Sequence, residues 1–347
     1  MSAAYRVVVA GAGFAGVATC VALLREWRGA RPLSLTLLER SGGFGRGVAY
    51  ATPDPQHLLN VPAGRMSAIA GRPGDLLTWA AARGVAAEEH TFLARGVYGA
   101  YLEDTLTEAE RRAPGVLRRV TGEAVRVAPG EPATVVTRAG EQLAADAEAA
   151  ARGDDWRAVV DSLRPVTQTL WRALPDTEKV RFVQRHARRW EVVRSRMAPE
   201  VASRVRGLMA DGRLRVIGAD VEGIERRGDG LAVAVRERGG MCWLASGAVV
   251  NCAGPAGDLR RGDSRLVRTL LDDGLATPGP AGLGLRTADD GALVDHRGAS
   301  AAPIYTLGSL RRGELWETFA VPELREQAAE LAAVLGDRAS ARTGRAA

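Results

Sequence analysis

An α/β fold is predicted by three features of the sequence. An apolar strand runs directly into a glycine-rich turn and a helix near the N-terminus. A second apolar strand comes next and ends in an acid. Short strand patterns then return late in the chain, after a helical middle. Together these give a Rossmann-like domain of the three-layer β/β/α type, carrying a β-meander and a helical insert.

Tyr5–Ala10 reads YRVVVA, a β-branched run suited to a parallel strand buried on both faces. Gly11-Ala12-Gly13-Phe14-Ala15-Gly16 forms the turn, and Val17–Trp27 has helical spacing. Leu33–Leu38 is the second strand and Glu39 closes it. A long irregular stretch then runs from Ser41 to Gly74, and structureless loops of this length inside a domain usually carry function. Helical patterns occupy Asp75–Arg83 and Tyr98–Arg112, and Val116–Ala145 reads as short alternating strands.

The middle is helical at Asp155–Ala173, Asp176–Arg196 and Pro199–Gly212. The last of these opens on proline and stops on glycine, in keeping with the preferences of helix ends. Leu214–Ile217, Val221–Arg226 and Leu231–Arg236 look like a meander, and Gly247–Asn251 like a buried strand leading to Cys252-Ala253-Gly254-Pro255. Ile304–Leu307 is a last short strand, and Pro322–Leu335 an amphipathic helix. The expected organisation is a discontinuous nucleotide-binding domain of residues 1–146 and 214–336, a helical insert at 147–213 and a frayed tail at 337–347.

The chain has 347 residues and a net charge of +6, carried almost wholly by arginine, since Lys179 is the only lysine. The positive charges are scattered rather than blocked, which argues against a nucleic-acid patch. No apolar run is long enough to span a bilayer, and no leader pattern opens the sequence, so a cytoplasmic protein is expected. Cys20, Cys242 and Cys252 form no CxxC pair and no disulfide framework. His57, His90, His186 and His296 lack metal-ligand spacing, and no hydrolytic triad or metal motif is recognisable.

The glycine turn fits the dinucleotide fingerprint. Gly11 permits the tight bend, Gly13 lets backbone approach a pyrophosphate, and Gly16 lets helix and strand pack closely. The helix N-terminus offers free N–H groups to the phosphates. Glu39 lies 23 residues after Gly16, in place to accept a ribose hydroxyl and to repel a 2′-phosphate. Beyond Glu39 the chain departs from the run of βα units found in nicotinamide dehydrogenases. The glycine-rich loop from Gly42, the late Ala253-Gly254-Pro255 turn and Tyr305-Thr306-Leu307-Gly308 before a helix all suit an extended FAD.

The stretches GAGFAG, GRGVAYATPDPQHLLNVPAGRMSA, FLARGVYGAYL, DWRAVVDSLRPVTQTLW, RMAPEVASR, VVNCAGP and LRRGELWETFAVPELREQA resemble those of a bacterial family of FAD/NAD(P)-binding proteins. That family is distantly similar to flavin N-hydroxylating and Baeyer–Villiger monooxygenases of the two-dinucleotide-binding-domain superfamily. The resemblance places Gly11, Gly13, Phe14, Ala15, Gly16, Glu39 and Arg40 on the adenosine side. It sets Arg46, His57, Asn60, Val61 and Met66 along the flavin, and Gly254, Gly308, Thr318 and Pro322 near the pyrophosphate and ring. It leaves the catalytic residues undefined. His57, Arg65 and Arg95 are the candidates, each with a plainer reading as a loop cap or a paired arginine. Trp156, Trp171 and Trp190 read as core rather than stacking platforms.

Relatives of this kind carry a second glycine-motif domain for NAD(P)H, and its strand and turn are not recognisable here. The resemblance therefore implies an FAD-dependent, monooxygenase-like oxidoreductase acting on a small molecule. The source of its electrons stays open between NAD(P)H, a separate reductase and the substrate itself. An FAD oxidase or dehydrogenase that does not use NAD(P)H, and a non-catalytic flavin-binding protein, remain as alternatives.

Overall fold

The computed structural model describes residues 4–124, 163–187, 190–191, 197–217, 219–237, 239–250, 259, 262 and 264–341. The chain forms two compact units, one of residues 1–198 with 257–347, the other of 199–256. The units divide the chain differently from the expected domains. The helix after Pro199 groups with the meander, and the earlier helices of the expected insert group with the N-terminal unit.

In the first unit, β1 (Tyr5–Ala10) pairs in parallel with β2 (Leu33–Glu39), Tyr5 opposite Leu33 and Ala10 opposite Leu38. β3 (Leu117–Thr121) adds to the far side of β2, also in parallel, giving the order β1-β2-β3. This corrects the expectation of alternating strands beginning at Val116. The first of them belongs to the main sheet, because Leu117 is buried and the Val116 carbonyl accepts the Leu35 N–H at 2.9 Å. Residues 125–145 of that stretch, and residues 155–162 of the helix expected from Asp155, Trp156 included, lie outside the described residues.

α1 (Phe14–Glu26) links β1 to β2, and α9 (Val321–Ala341) packs along it. Between β2 and β3 come a single helical turn, α2 (Gly47–Tyr50), then α3 (Asp75–Ala81) and α4 (Arg95–Arg112). The core forms where these meet the sheet. Val7, Val9, Leu35 and Leu37 face Val17, Cys20 and Val21 of α1, with Tyr98, Tyr101, Leu102 and Leu106 of α4 and Leu331 and Leu335 of α9. Burying each such leucine contributes about 1.5–3 kcal/mol. Cys20 is enclosed there, and burial pushes its thiol pKa upward, as expected of a packing cysteine.

β1 departs from its expected double burial. Tyr5, Val7 and Val9 are buried, whereas Arg6, Val8 and Ala10 are exposed, Val8 to 41%. The run is apolar on both faces, but only one face has helices against it. α9 is longer than the pattern suggested and takes in residues 337–341 of the expected tail. Ala339 is fully buried, Gly29 packs so close that a Cβ on it would lie 2.9 Å from the Ala339 methyl, and Ser340 accepts the Ala30 N–H.

α5 (Arg164–Ala173) and α6 (Asp176–Arg185) belong to this unit too. α6 is interrupted at His186, whose backbone leaves the helical region. Ala187, Trp190 and Glu191 are again helical, and the Trp190 N–H donates to the His186 carbonyl at 2.9 Å. Residues 192–196 of the expected helix lie outside the described residues. Trp171, Ala187 and Trp316 form a small core there with Phe182, Val183 and Trp190. Lys179 is buried beside it, 3.5 Å from Asp176 and 3.9 Å from Glu314. A further cluster joins α8 (Arg265–Asp272), capped by the Ser264 hydroxyl, to Leu285 and Leu293. Leu293 lies on β7 (Ala292–Val294), the antiparallel partner of β8 (Ser300–Tyr305).

The second unit holds α7 (Pro199–Ala210) and an antiparallel meander of β4 (Asp220–Arg227), β5 (Gly230–Glu237) and β6 (Gly240–Ser246). Leu214–Ile217 is not a strand, and its place is taken by β6 at the other end of the meander. Gly247–Val250 likewise is not a strand, and Val250 is 80% exposed, so the expected buried strand is absent from this span. Asn251–Gly254 lies outside the described residues.

Candidate dinucleotide site

The site starts at the end of β1. Gly11 adopts φ +98°, a conformation that glycine reaches without strain, and its N–H donates to the Leu38 carbonyl at 2.8 Å. The turn is thereby tied to the end of β2. A Cβ on Gly16 would stand 1.9 Å from the Gly11 carbonyl oxygen, so only glycine lets α1 begin here. α1 has neither a side-chain cap nor an acid in its first turn. Its leading N–H groups and the positive end of its dipole are thus presented to an anion.

Glu39 reaches across from β2. One carboxylate oxygen accepts the Ala12 N–H at 2.8 Å, and the other accepts the Ser41 N–H and hydroxyl at 3.1 and 3.0 Å. Burial alone would raise the pKa of this carboxyl. The Ala12 and Ser41 hydrogen bonds and the neighbouring Arg40 charge outweigh it and hold the group below its ordinary range. The oxygen that meets Ala12 keeps a further lone pair for a ligand hydroxyl.

The glycine-rich loop from Gly42 folds back over the turn. The Gly45 N–H donates to the Ala12 carbonyl at 3.0 Å. Gly47 adopts φ +52°, and a Cβ on it would lie 2.9 Å from the Gly13 Cα. Backbone therefore faces backbone across a cradle that any side chain would fill. The donor set there is N–H groups at a helix mouth with a carboxylate beside them, which fits the pyrophosphate and ribose of a dinucleotide.

Arg46, expected along the cofactor, forms a two-pronged ion pair with Glu103 of α4 at 2.8 Å per prong. Phe14 points into the core and stacks on Tyr98, so the turn offers its backbone rather than this ring. His57 is exposed, with Nδ1 2.7 Å from the Thr52 hydroxyl and Nε2 3.7 Å from Asp54. Arg95 donates to the Leu58 carbonyl at 3.1 Å and the Ala49 carbonyl at 3.3 Å. Arg65 and Asn60 are exposed, Val61 packs on the core edge, and Met66 is buried with its carbonyl accepting the Tyr98 hydroxyl.

At the other end of the chain, Gly308 has φ +74°, and its N–H donates to Gln327 at 3.0 Å. The same Gln327 donates to the Thr318 hydroxyl at 2.6 Å, and all three residues are buried. Pro322 sits in the first turn of α9. Arg325 of α9 donates to the Ser67 carbonyl at 3.1 Å, which brings the C-terminal element onto the loop holding Met66.

Residues 8–154 match the FAD-NAD(P)-binding family. The solved structures that resemble the chain include the ornithine N-hydroxylase of Kutzneria sp. 744, at 15% identity, TM-score 0.58, and coverage of 97% of this chain and 100% of that one. L-lysine 6-monooxygenase from Pseudomonas syringae aligns at 13% identity and TM-score 0.59, with 97% and 100% covered. Bacillithiol disulfide reductase from Staphylococcus aureus aligns at 10% identity and TM-score 0.54, with 97% and 99% covered. The chain shares the α/β, Rossmann-like fold of these proteins. No curated protein matches the sequence.

In this fold the parts of the site that the sequence did not disclose are the partners. Glu103 neutralises Arg46 from 57 positions away, and Gln327 joins Gly308 to Thr318. Gln327 left a faint signal, as the one uncharged polar side chain in the run EQAAELAAVL. No described helix is long and apolar enough to cross a membrane, and no described cluster of His, Cys, Asp and Glu could hold a metal.

Proposed function

We propose that the chain is an FAD-dependent oxidoreductase of monooxygenase-like type, acting on a small molecule. The observation that carries this reading is the side-chain-free cradle of Gly11–Gly16 and Gly47, with Glu39 fixed at its rim. The match of residues 8–154 to the FAD-NAD(P)-binding family supports it, as does the likeness of fold to a hydroxylase and a monooxygenase.

Bound FAD supplies the electron-transfer and oxygen chemistry. The chain's own part is to hold and orient it. The first-turn N–H groups of α1 receive the pyrophosphate and Glu39 receives the adenosine ribose. Gly308, Thr318 and Pro322 stand at the flavin end, with Val61 and Met66 limiting its access to water. His57, Arg65 and Arg95 are left in supporting roles: His57 and Arg95 hold the loop that the cofactor would run along.

Purified protein titrated with FAD and then mixed anaerobically with NADH or NADPH tests the reading. Retention of a yellow chromophore and rapid bleaching by one nucleotide are expected of a nicotinamide-driven enzyme. Bleaching by a reductase or by a substrate, but by neither nucleotide, would redirect the reading to an oxidase or reductase-fed enzyme. Folded protein that stays colourless in excess FAD would overturn it.

A further inference from the structure

We propose that Arg172 and Arg311 form a binding site for the oxyanion of the substrate, a carboxylate or a phosphate group. Arg311 closes the short helical turn from Gly308 and is 99% buried, one of the largest enclosed side chains of the protein. Its Nε donates to the Thr287 hydroxyl and its Nη2 to the Ala288 and Asp289 carbonyls, at 3.1–3.2 Å. All three acceptors are neutral. No carboxylate pairs with this guanidinium among the described residues. The acids nearby are engaged elsewhere: Glu314 with Lys179 and Arg286, Asp290 with Arg338, and Asp289 with Arg172.

The second cation deepens the imbalance. Arg172, on α5, meets the Asp289 carboxylate whose backbone carbonyl Arg311 takes. Burial pushes the Arg311 guanidinium down to about 10, and the Arg172 charge adds to this against the opposing pull of Asp289, Glu314 and Asp290. Both arginines end in a buried N–H group with no partner among the described residues, Nη2 of Arg172 and Nη1 of Arg311. Arg312 Nε and Trp316 Nε1, from the same segment, are unsatisfied in the same way. Every one of these four groups is a donor. Buried donors are normally paired, and a surplus of donors without acceptors calls for an acceptor-rich anion, which planar guanidiniums grip well.

The place suits a substrate group. The segment between Gly308 and Thr318, both expected beside the flavin, carries Arg311, and α5 docks on it. Trp171 donates to the Gly313 carbonyl at 2.8 Å and packs on Trp316 at 4.8 Å, and Gln168 donates to the Glu317 carbonyl. Arg172 is about a quarter exposed at its side chain, so an anion meets it first from solvent. That the anion belongs to a substrate rests on the oxidoreductase reading; its binding does not.

Thermal unfolding of the full chain in excess FAD, with sodium acetate and inorganic phosphate compared against chloride at equal ionic strength and pH, tests the site. Stabilisation by acetate or phosphate is expected, and the stronger probe names the group. Arg172→Met should weaken that binding by roughly tenfold to a hundredfold, the worth of a hydrogen bond to a charged group, while FAD affinity stays as it was. Arg311→Lys, which keeps the charge and removes the orphan N–H, gives the same comparison if Arg172→Met unfolds. No stabilisation beyond chloride, or full stabilisation in both variants, overturns the site. So does an equal loss of FAD affinity, which would make the anion the cofactor's own phosphate. Colourless protein that keeps the anion effect would remove the redox reading alone.

Discussion

Glu39 carries its charge into the site by hydrogen bonds to backbone, and this sets both a mutational and a pH expectation. Glu39→Gln removes the charge that orders the Ala12 and Ser41 amides, so FAD binding should weaken by about tenfold, measured by flavin fluorescence titration. Because the folded-state pKa lies below the ordinary value of 4.5, the stabilisation is fully present above that value. It is lost as pH falls through the lowered pKa, so FAD release should rise only on the acid side. Gly16→Ala forces a methyl against the Gly11 carbonyl, a backbone atom that cannot yield, and should cost ~1–3 kcal/mol in chemical denaturation. Gly11, Gly13, Gly16 and Glu39 were legible in the sequence because their geometry is local to one strand–turn–helix. The Glu103 partner of Arg46 was not, since it comes from a helix 57 residues later. His57 was open to two readings, and only its short contact to Thr52 shows what the ring touches.

α1 and α9 come from opposite ends of the chain and share one face, so the cradle depends on the C-terminal helix although no residue of α9 lies in the glycine turn. Leu331 is fully buried between them. Leu331→Ala should cost ~2–5 kcal/mol by denaturant unfolding and lower FAD occupancy with it. On the other side, Trp171→Phe keeps an aromatic ring but abandons the Gly313 carbonyl, and ~1–3 kcal/mol should be lost with little change in FAD affinity. The helix starts and stops were readable from spacing and from residues such as Pro199 and Gly212, whose φ of +67° ends α7. Strand partners were less so. YRVVVA announces a strand but says nothing of which face is covered, and Leu117–Thr121 looks the same whether it joins a hairpin or a parallel sheet. The last turn of α9 was hidden because RASA is not apolar, and its burial comes from contact with Gly29 and Ala30, some three hundred residues earlier.

Across the whole molecule, the sheet of β1, β2 and β3 draws its support from both termini, while residues 199–256 cluster by themselves. That partition was not written in composition, since the arginine-rich, alanine-rich character runs evenly through both units. The charge distribution has a further consequence. The chain's only lysine, Lys179, lies 96% enclosed, with Asp176 and Glu314 at its ammonium. Acylating reagents aimed at lysine side chains should therefore leave the native protein untouched at this position. Slow acylation of Lys179, timed by mass spectrometry, would count the openings of α6. The protein thus carries a built-in clock for the breathing of one helix, readable without altering a single residue.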